Sequence, residues 1–328
     1  MQNWPNATLH VVTGKGGTGK TTIAAALAIA LAKNGHRTIL MEVEGRQGIA
    51  QLFDTPPLPY EERKIAVAPG GGEVWALAVD TEDALLDYLE MFYKLRRAGS
   101  ALSKMGAVDF ATTIAPGLRD VLLTGKACEV VKRKEKKQDN AYDYVILDAP
   151  PTGRITRFLN VNGEVSGLAK VGPIKSHADS VMSVIASEQS AIHLVTLLEE
   201  MPVQETLDGV AELEASGLPV GAIFVNMTRP PQLDAAQRVM AIAGQLPRSE
   251  IDREISQSGL STSNQLLDAL LMEASDHAER VNLEISELER LKERGLPIFA
   301  LPLLPSGIDL GGLYELSAIM SASGIGGE

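Results

Sequence analysis

The sequence predicts an α/β fold: a doubly wound, mostly parallel sheet with helices on both faces. Three observations carry this. Short apolar runs alternate with stretches of helical periodicity along the chain, as strands joined by crossover helices do. The first such run, Leu9 to Val12, empties into Gly14-Lys15-Gly16-Gly17-Thr18-Gly19-Lys20-Thr21, and a helix follows with Ile23, Leu27, Ala30 and Leu31 recurring at helical spacing. From Thr81 to about Gln138 the pattern stays helical with no strand, longer than an ordinary crossover. The expected organisation is one domain over residues 1–328 with helical subdomain insertions at about 81–138 and 155–190.

In order, Met1 to Ala7 is a short lead-in, and the first helix stops at Asn34-Gly35. Arg37 to Met41 reads as the second buried strand. Asp54 to Gly72 holds four prolines, the charged patch Glu61-Glu62-Arg63-Lys64 and the turn Pro69-Gly70-Gly71-Gly72, so it reads as an irregular crossing. Val74 to Val79 is the third strand. The long helical stretch breaks near Gly99-Ser100 and Pro116-Gly117, and Tyr142 to Leu147 is the fourth strand. A second helical stretch runs from about Ile155 to Ser190. Strands at Ile192–Leu198, Val220–Asn226 and Ile298–Leu301 then alternate with helices at Val203–Ala215, Ala235–Gln245, Ser263–Arg294 and Gly312–Met320. No internal duplication is visible.

The chain has 328 residues, 45% of them apolar, enough for one large domain with a sizeable core. Its formal net charge of −12 argues against sequence-independent nucleic-acid binding, which needs a basic face. The single cysteine, Cys128, excludes an intrachain disulfide framework and any CxxC metal site. There is no basic-then-apolar leader and no apolar run of membrane-spanning length, so the expectation is a soluble, cytoplasmic protein that meets a membrane only through a partner or client.

The glycine-rich stretch fits the phosphate-binding loop G-x-x-x-x-G-K-[ST] at every fixed position. Glycines let successive backbone N–H groups curl around phosphate oxygens, and the following helix aims its N-terminus at the same anion. Gly14, Lys15, Gly16, Gly17, Thr18, Gly19, Lys20, Thr21 and Thr22 are the candidate nucleotide contacts. Lys20 is placed to reach the β- and γ-phosphates of ATP, and the Thr21 hydroxyl to ligate Mg²⁺. Such a loop needs a second acid at the end of a neighbouring strand, and Asp148, closing Val145-Ile146-Leu147, is that candidate, acting on Mg²⁺ through water. Together these predict a P-loop NTPase fold.

Lys15 is not required by the general pattern. The run Lys15-Gly16-Gly17-Thr18-Gly19-Lys20-Thr21 resembles the deviant loop K-G-G-x-G-K-[ST] of a dimeric ATPase class. That class holds the arsenite-pump ATPases, the tail-anchored-protein targeting ATPases, the partition and Min ATPases and nitrogenase iron protein. There the first lysine crosses the dimer interface to the partner's nucleotide, so the resemblance implies a dimer with composite sites. The stretch Asp148-Ala149-Pro150-Pro151-Thr152-Gly153-Arg154-Ile155-Thr156-Arg157-Phe158-Leu159 closely resembles the switch II signature D-T-A-P-T-G-H-T-L-R-F-L of the arsenite-pump and tail-anchored-targeting ATPases. It departs from it at Ala149, Pro150, Arg154 and Ile155-Thr156. The family's switch I, S-T-D-P-A-H, aligns its water-positioning aspartate with Glu44, and Gly45-Arg46-Gln47 replace P-A-H; a register slip of two would put Glu42 there instead. Glutamate keeps the carboxylate on a longer arm. Asn226 resembles the strand-end asparagine that reads adenine in this family, and Leu301-Pro302-Leu303-Leu304-Pro305 the loop flanking adenine on its other side.

The resemblance thus implies catalytic roles for Lys15, Lys20 and Glu44, ATP and Mg²⁺ as cofactors, and a homodimer or a heterodimer with a related ATPase chain. The targeting branch's zinc clamp and the metalloid site of the arsenite branch need cysteines that this chain lacks. The helical stretches correspond in position to the targeting branch's client groove, with Leu85, Leu86, Leu89, Met91, Phe92, Leu95, Met182, Val184 and Ile185 as candidates either for such a groove or for plain core. The cluster Lys132-Arg133-Lys134-Glu135-Lys136-Lys137 reads as a solvated helix end. The helix 263–294 puts Leu267, Leu271, Ala274, Ala278, Val281, Ile285 and Leu288 at spacings of four and three, a seam for a partner or for the chain's own sheet. The implied function is ATP hydrolysis driving a conformational cycle that handles membrane or hydrophobic clients. The alternatives are the energising subunit of an anion transporter and a partition-type organiser. The acidic charge and a C-terminal segment without Lys or Arg disfavour the second of these.

Overall fold

In the computed structural model, residues 7–43, 45, 47–93, 118–160 and 173–326 are described. The strands are β1 (Leu9–Gly14), β2 (Arg37–Glu42), β3 (Arg63–Val67), β4 (Glu73–Ala78), β5 (Tyr144–Asp148), β6 (Ser190–Thr196), β7 (Val220–Thr228) and β8 (Ile298–Pro302). They form one sheet in the order β3-β4-β2-β5-β1-β6-β7-β8, parallel throughout except for the antiparallel pair β3/β4. The chain starts near the middle, builds outward through β2 and β4, returns to insert β5 beside β1, and then builds outward the other way, which is the expected doubly wound plan.

Both faces of the central sheet are apolar, so its central strands feed two cores. Leu9 and Val11, Ile39 and Met41, Val145 and Leu147, Ile192 and Leu194 enter one; Val12, Leu40, Ile146 and Val195 enter the other. The first core is closed by α3 (Thr81–Tyr93), α4 (Leu118–Glu135), α5 (Thr152–Leu159), α6 (Pro173–Ile185) and α7 (Glu200–Ala215). The second is closed by α1 (Lys20–Ala32), α2 (Gly48–Leu52) and α11 (Leu310–Ala322). Every residue of α1 from Ile23 to Ala32 is buried, because alanines at most positions let the sheet and α11 approach closely on all sides. Asn34 and Gly35 end that run with φ of 67° and 87°, the left-handed backbone an Asn-Gly pair adopts at least cost.

Beyond β7 come α8 (Ala235–Ile242), opened by an Asp234/Gln237 capping box, then α9 (Arg248–Gln257) and the 29-residue α10 (Asn264–Lys292). α10 packs with α8, α9 and α7: Arg248 of α9 pairs with Asp268, Arg238 of α8 bonds Asn282 at 3.1 Å, and Leu291 enters the first core. Leu267, Ala278 and Val281 are buried as the seam predicts, but Ile285 points to solvent, so the seven-residue spacing does not describe one continuous contact line.

Two expectations need correction. The crossing 54–72 contains β3, an edge strand that its charges hid: Lys64 pairs with Glu73 at 2.8 Å, and Arg37 lies over Trp75 and Tyr142. Arg133, read as part of a solvated basic end, is buried and holds Glu129 through two nitrogens at 2.9 Å and Glu62 at 2.6 Å. Of the groove candidates, Leu85, Val184 and Ile185 are core and Met182 packs on it. Leu95 and the side chains of Leu89, Met91 and Phe92 lie outside the described residues. A cavity of about 270 Å³ opens between α3, α4 and α6, and charged groups including Asp87, Lys126, Glu129 and Arg133 line it.

Candidate functional site

The carboxyl ends of β1, β2 and β5 meet at one edge of the sheet. Gly14 ends β1 opposite Val195 of β6, and a Cβ on it would sit 2.2 Å from the Val195 carbonyl oxygen. Only glycine lets the phosphate loop leave the sheet there. Gly14→Ala should cost about 1–3 kcal/mol of stability by overpacking. It should appear as a lower urea midpoint at unchanged m-value.

The loop curls back on itself. The Lys15 carbonyl accepts from Thr18 Oγ1 at 2.9 Å and from Lys20 Nζ at 3.4 Å, which folds Lys20 over residues 15–19. Gly19 has φ of 87°, and a Cβ on it would stand 2.4 Å from Asn226 Nδ2. That nitrogen donates to the Thr18 carbonyl at 2.9 Å, with Asn226 only 5% exposed. One of the two amide hydrogens of Asn226 thus braces the phosphate loop against β7. Pro302 ends β8 opposite Thr228, and Thr228 Oγ1 donates to the Leu301 carbonyl at 3.1 Å.

Thr21, on the first turn of α1, donates its hydroxyl to Asp148 Oδ2 at 2.6 Å. Two groups separated by more than a hundred residues, both expected at Mg²⁺, are in direct contact. Glu42 ends β2 in register with Asp148, is 3% exposed, and accepts the Gly48 N–H at 3.0 Å. An oxygen-only donor set of hydroxyl and carboxylates suits a hard divalent cation such as Mg²⁺. Glu44 lies outside the described residues; of the two candidates at this strand end, only Glu42 is described.

The segment after Asp148 is pinned to β1 by two bonds: Ala149 N–H to the Val12 carbonyl at 2.9 Å, and Thr13 Oγ1 to the Pro150 carbonyl at 2.7 Å. The Gln47 amide closes on the backbone of Leu58 from both sides, at 2.7 and 3.1 Å. Thr13 did not stand out in the sequence, since it acts on a backbone group far along the chain, and Gln47 entered it only as a departure from P-A-H. Lys15 extends from the loop to Glu205 of α7, Nζ to Oε1 2.7 Å. Nearby, Arg280 of α10 bridges Glu199 at 2.8 Å and Glu284 at 3.3 Å, and Arg229 at the end of β7 meets Glu284 at 3.0 Å. Cys128 is core, its thiol pushed up to about 12 by burial.

The sequence profile described as Anion-transporting ATPase matches residues 7–187, which span the phosphate loop, Glu42 and the Asp148 segment. The chain is 49% identical over 326 residues to the ATPase BagA of Mycobacterium tuberculosis, covering 98% of this chain and 96% of that one. It is 31% identical over 186 residues to the ATPase get3 of Schizosaccharomyces pombe, covering 54% and 53%. It is 28% identical over 197 residues to the ATPase GET3 of Kluyveromyces lactis, covering 58% and 55%. With a phosphate loop braced by Asn226, a Thr21–Asp148 pair at its mouth and this likeness along nearly its whole length, the chain belongs to the anion-transporting ATPase family and is an ATPase.

Proposed function

We propose that the chain is a dimeric, Mg²⁺-dependent ATPase whose cycle of hydrolysis handles membrane or hydrophobic clients. The observation that carries the chemistry is the 2.6 Å contact of Thr21 with Asp148 at the mouth of the loop. Thr21 would ligate Mg²⁺ directly and Asp148 through water; bound there, the cation neutralises charge developing on the phosphate oxygens. Lys20, folded over the loop, binds the β- and γ-phosphates. Glu44 orients the attacking water. Lys15 of the second protomer completes the charge stabilisation around the γ-phosphate. Departure of phosphate releases the segments after β2 and after Asp148, and their movement alters how the protomers meet.

The client reading leans on the resemblance of the Asp148–Leu159 run to the tail-anchored-targeting ATPases. Among the described residues no helix is long and apolar enough to cross a membrane, so a membrane role would run through a partner. A second reading, the energising subunit of an anion transporter, is favoured by the family's own description. Thiolate capture of arsenite does not fit it, because the lone cysteine is core.

The test is phosphate release from Mg-ATP over a wide range of protein concentration. Specific activity should rise with concentration, and Lys15→Ala should lose that rise. Negligible turnover at every concentration with ATP still bound would refute the homodimer and point to a heterodimer with a related chain. Stimulation by an oxyanion without client would favour the transporter reading.

A further inference from the structure

We propose that Glu205 is a positioning residue for Lys15: it holds the lysine within its own protomer until the nucleotide of a second protomer draws it away. The inference rests on the dimeric reading above and concerns its regulation.

Lys15 and Glu205 meet at 2.7 Å, with side chains 32% and 38% exposed. The contact is therefore at the rim, open to an approaching surface. Glu205 is itself held in place. The neighbouring Thr206 is buried and donates to the Pro202 carbonyl at 2.8 Å, and Glu199, just before α7, is tied to Arg280. One turn further on, Gly209 brings α7 against the segment that follows Asp148. A Cβ there would lie 3.2 Å from Leu194 Cδ2 and 3.5 Å from Thr152 Cγ2. The same helix therefore touches the phosphate loop through Glu205 and the start of α5 through Gly209.

One ammonium cannot stay 2.7 Å from Glu205 and also reach a phosphate outside its own protomer. A lone carboxylate holds it more weakly than a polyphosphate, which offers several charged acceptor oxygens. In a protomer alone Lys15 stays on Glu205; against a nucleotide-loaded partner it transfers. Glu205 so lowers the population of Lys15 ready to cross, and raises the protein concentration at which pairing supports turnover.

A rim ion pair biases such an equilibrium by roughly two- to fivefold. A dimer releases two lysines, so the concentration giving half-maximal specific activity shifts by the square of that, roughly four- to twenty-fivefold. Phosphate release should be followed against protein concentration for the wild type, Glu205→Gln and Glu205→Asp, at low and at high salt. Glu205→Gln should lower the half-maximal concentration by that factor with kcat at saturation unchanged, and Glu205→Asp should fall between. The gap between wild type and Glu205→Gln should narrow in high salt, because screening weakens the wild-type pair. A residue that merely stabilised α7 would not give this salt dependence. A wild-type curve that rises with concentration, with Glu205→Gln superimposed on it or displaced to higher concentration, overturns the proposal and leaves the dimeric reading intact. A flat wild-type curve overturns both.

Discussion

Asp148→Asn is expected to keep the fold and the bound nucleotide and to cut turnover by about a hundred- to a thousandfold, the loss seen when one charge-stabilising group is removed from a preorganised site. The amide oxygen of the variant can still accept the Thr21 hydroxyl, so the 2.6 Å contact survives in neutral form. The backbone is independently secured, by the pairing of β5 with β1 and β2 and by the Ala149 N–H on the Val12 carbonyl. What disappears is the negative charge that would order water on Mg²⁺. Equilibrium binding of ATP and single-turnover phosphate release separate the two effects. Turnover within about threefold of wild type, on the same scale, would show that Asp148 is not at the metal.

Acidification should destabilise the protein well above the range of ordinary carboxylates. His10 and His193 stack on neighbouring strands β1 and β6, Nδ1 to Nε2 3.0 Å, both fully buried. The Ala222 N–H points at His193 Nδ1 at 3.2 Å, so that nitrogen is an acceptor and the proton is on Nε2, donated to His10 Nδ1. Neither Nδ1 has room for a second proton. Burial brings His10 down from 6.5 to about 4, opposed by a hydrogen bond with the Ala7 backbone. His193 is lowered by burial first and by the neighbouring His10 second. In the unfolded chain both rings take up protons near 6.5, whereas the folded protein refuses them, so stability is full above that pH and drains away as pH falls towards about 4. For His10 alone the gap corresponds to about 3 kcal/mol. Urea unfolding between about pH 7.5 and 4.5 should show the decline, and the His10 and His193 ring NMR signals should remain those of neutral imidazole down to about pH 5. Ring signals titrating near 6.5, with stability level across that range, would contradict it.

The sequence made some parts of this site plain and hid others, for physical reasons. Gly14, Lys20 and Thr21 were legible because a loop that wraps phosphate admits few residue types, and their spacing is local. Asp148 was legible as an acid closing an apolar strand. Glu205 was not, because it lies on a helix that also carries Glu200, Asp208, Glu212 and Glu214, and only the folded chain selects one of them for Lys15. Arg133 was misread for a related cause: its run of like charges suggested solvent, while its partner Glu62 lies 71 residues away, just before β3. Asn226 was singled out for its place at a strand end, but its bond to the Thr18 carbonyl, across 208 residues of sequence, shows only in the folded chain.

The bracing of α10 by Glu199, Arg280, Glu284 and Arg229 sets a mechanical advantage. Those contacts grip the helix just beyond Ala278, next to the strand end that carries Asn226. Before Ala278 the helix runs on for about 20 Å at about 1.5 Å per residue, with Arg248 of α9 paired to Asp268 near its start. A tilt of about 10° at the grip therefore displaces Asn264 by about 3.5 Å. A shift at the clamp too small to break an ion pair becomes, at the far end, a step the size of a side chain.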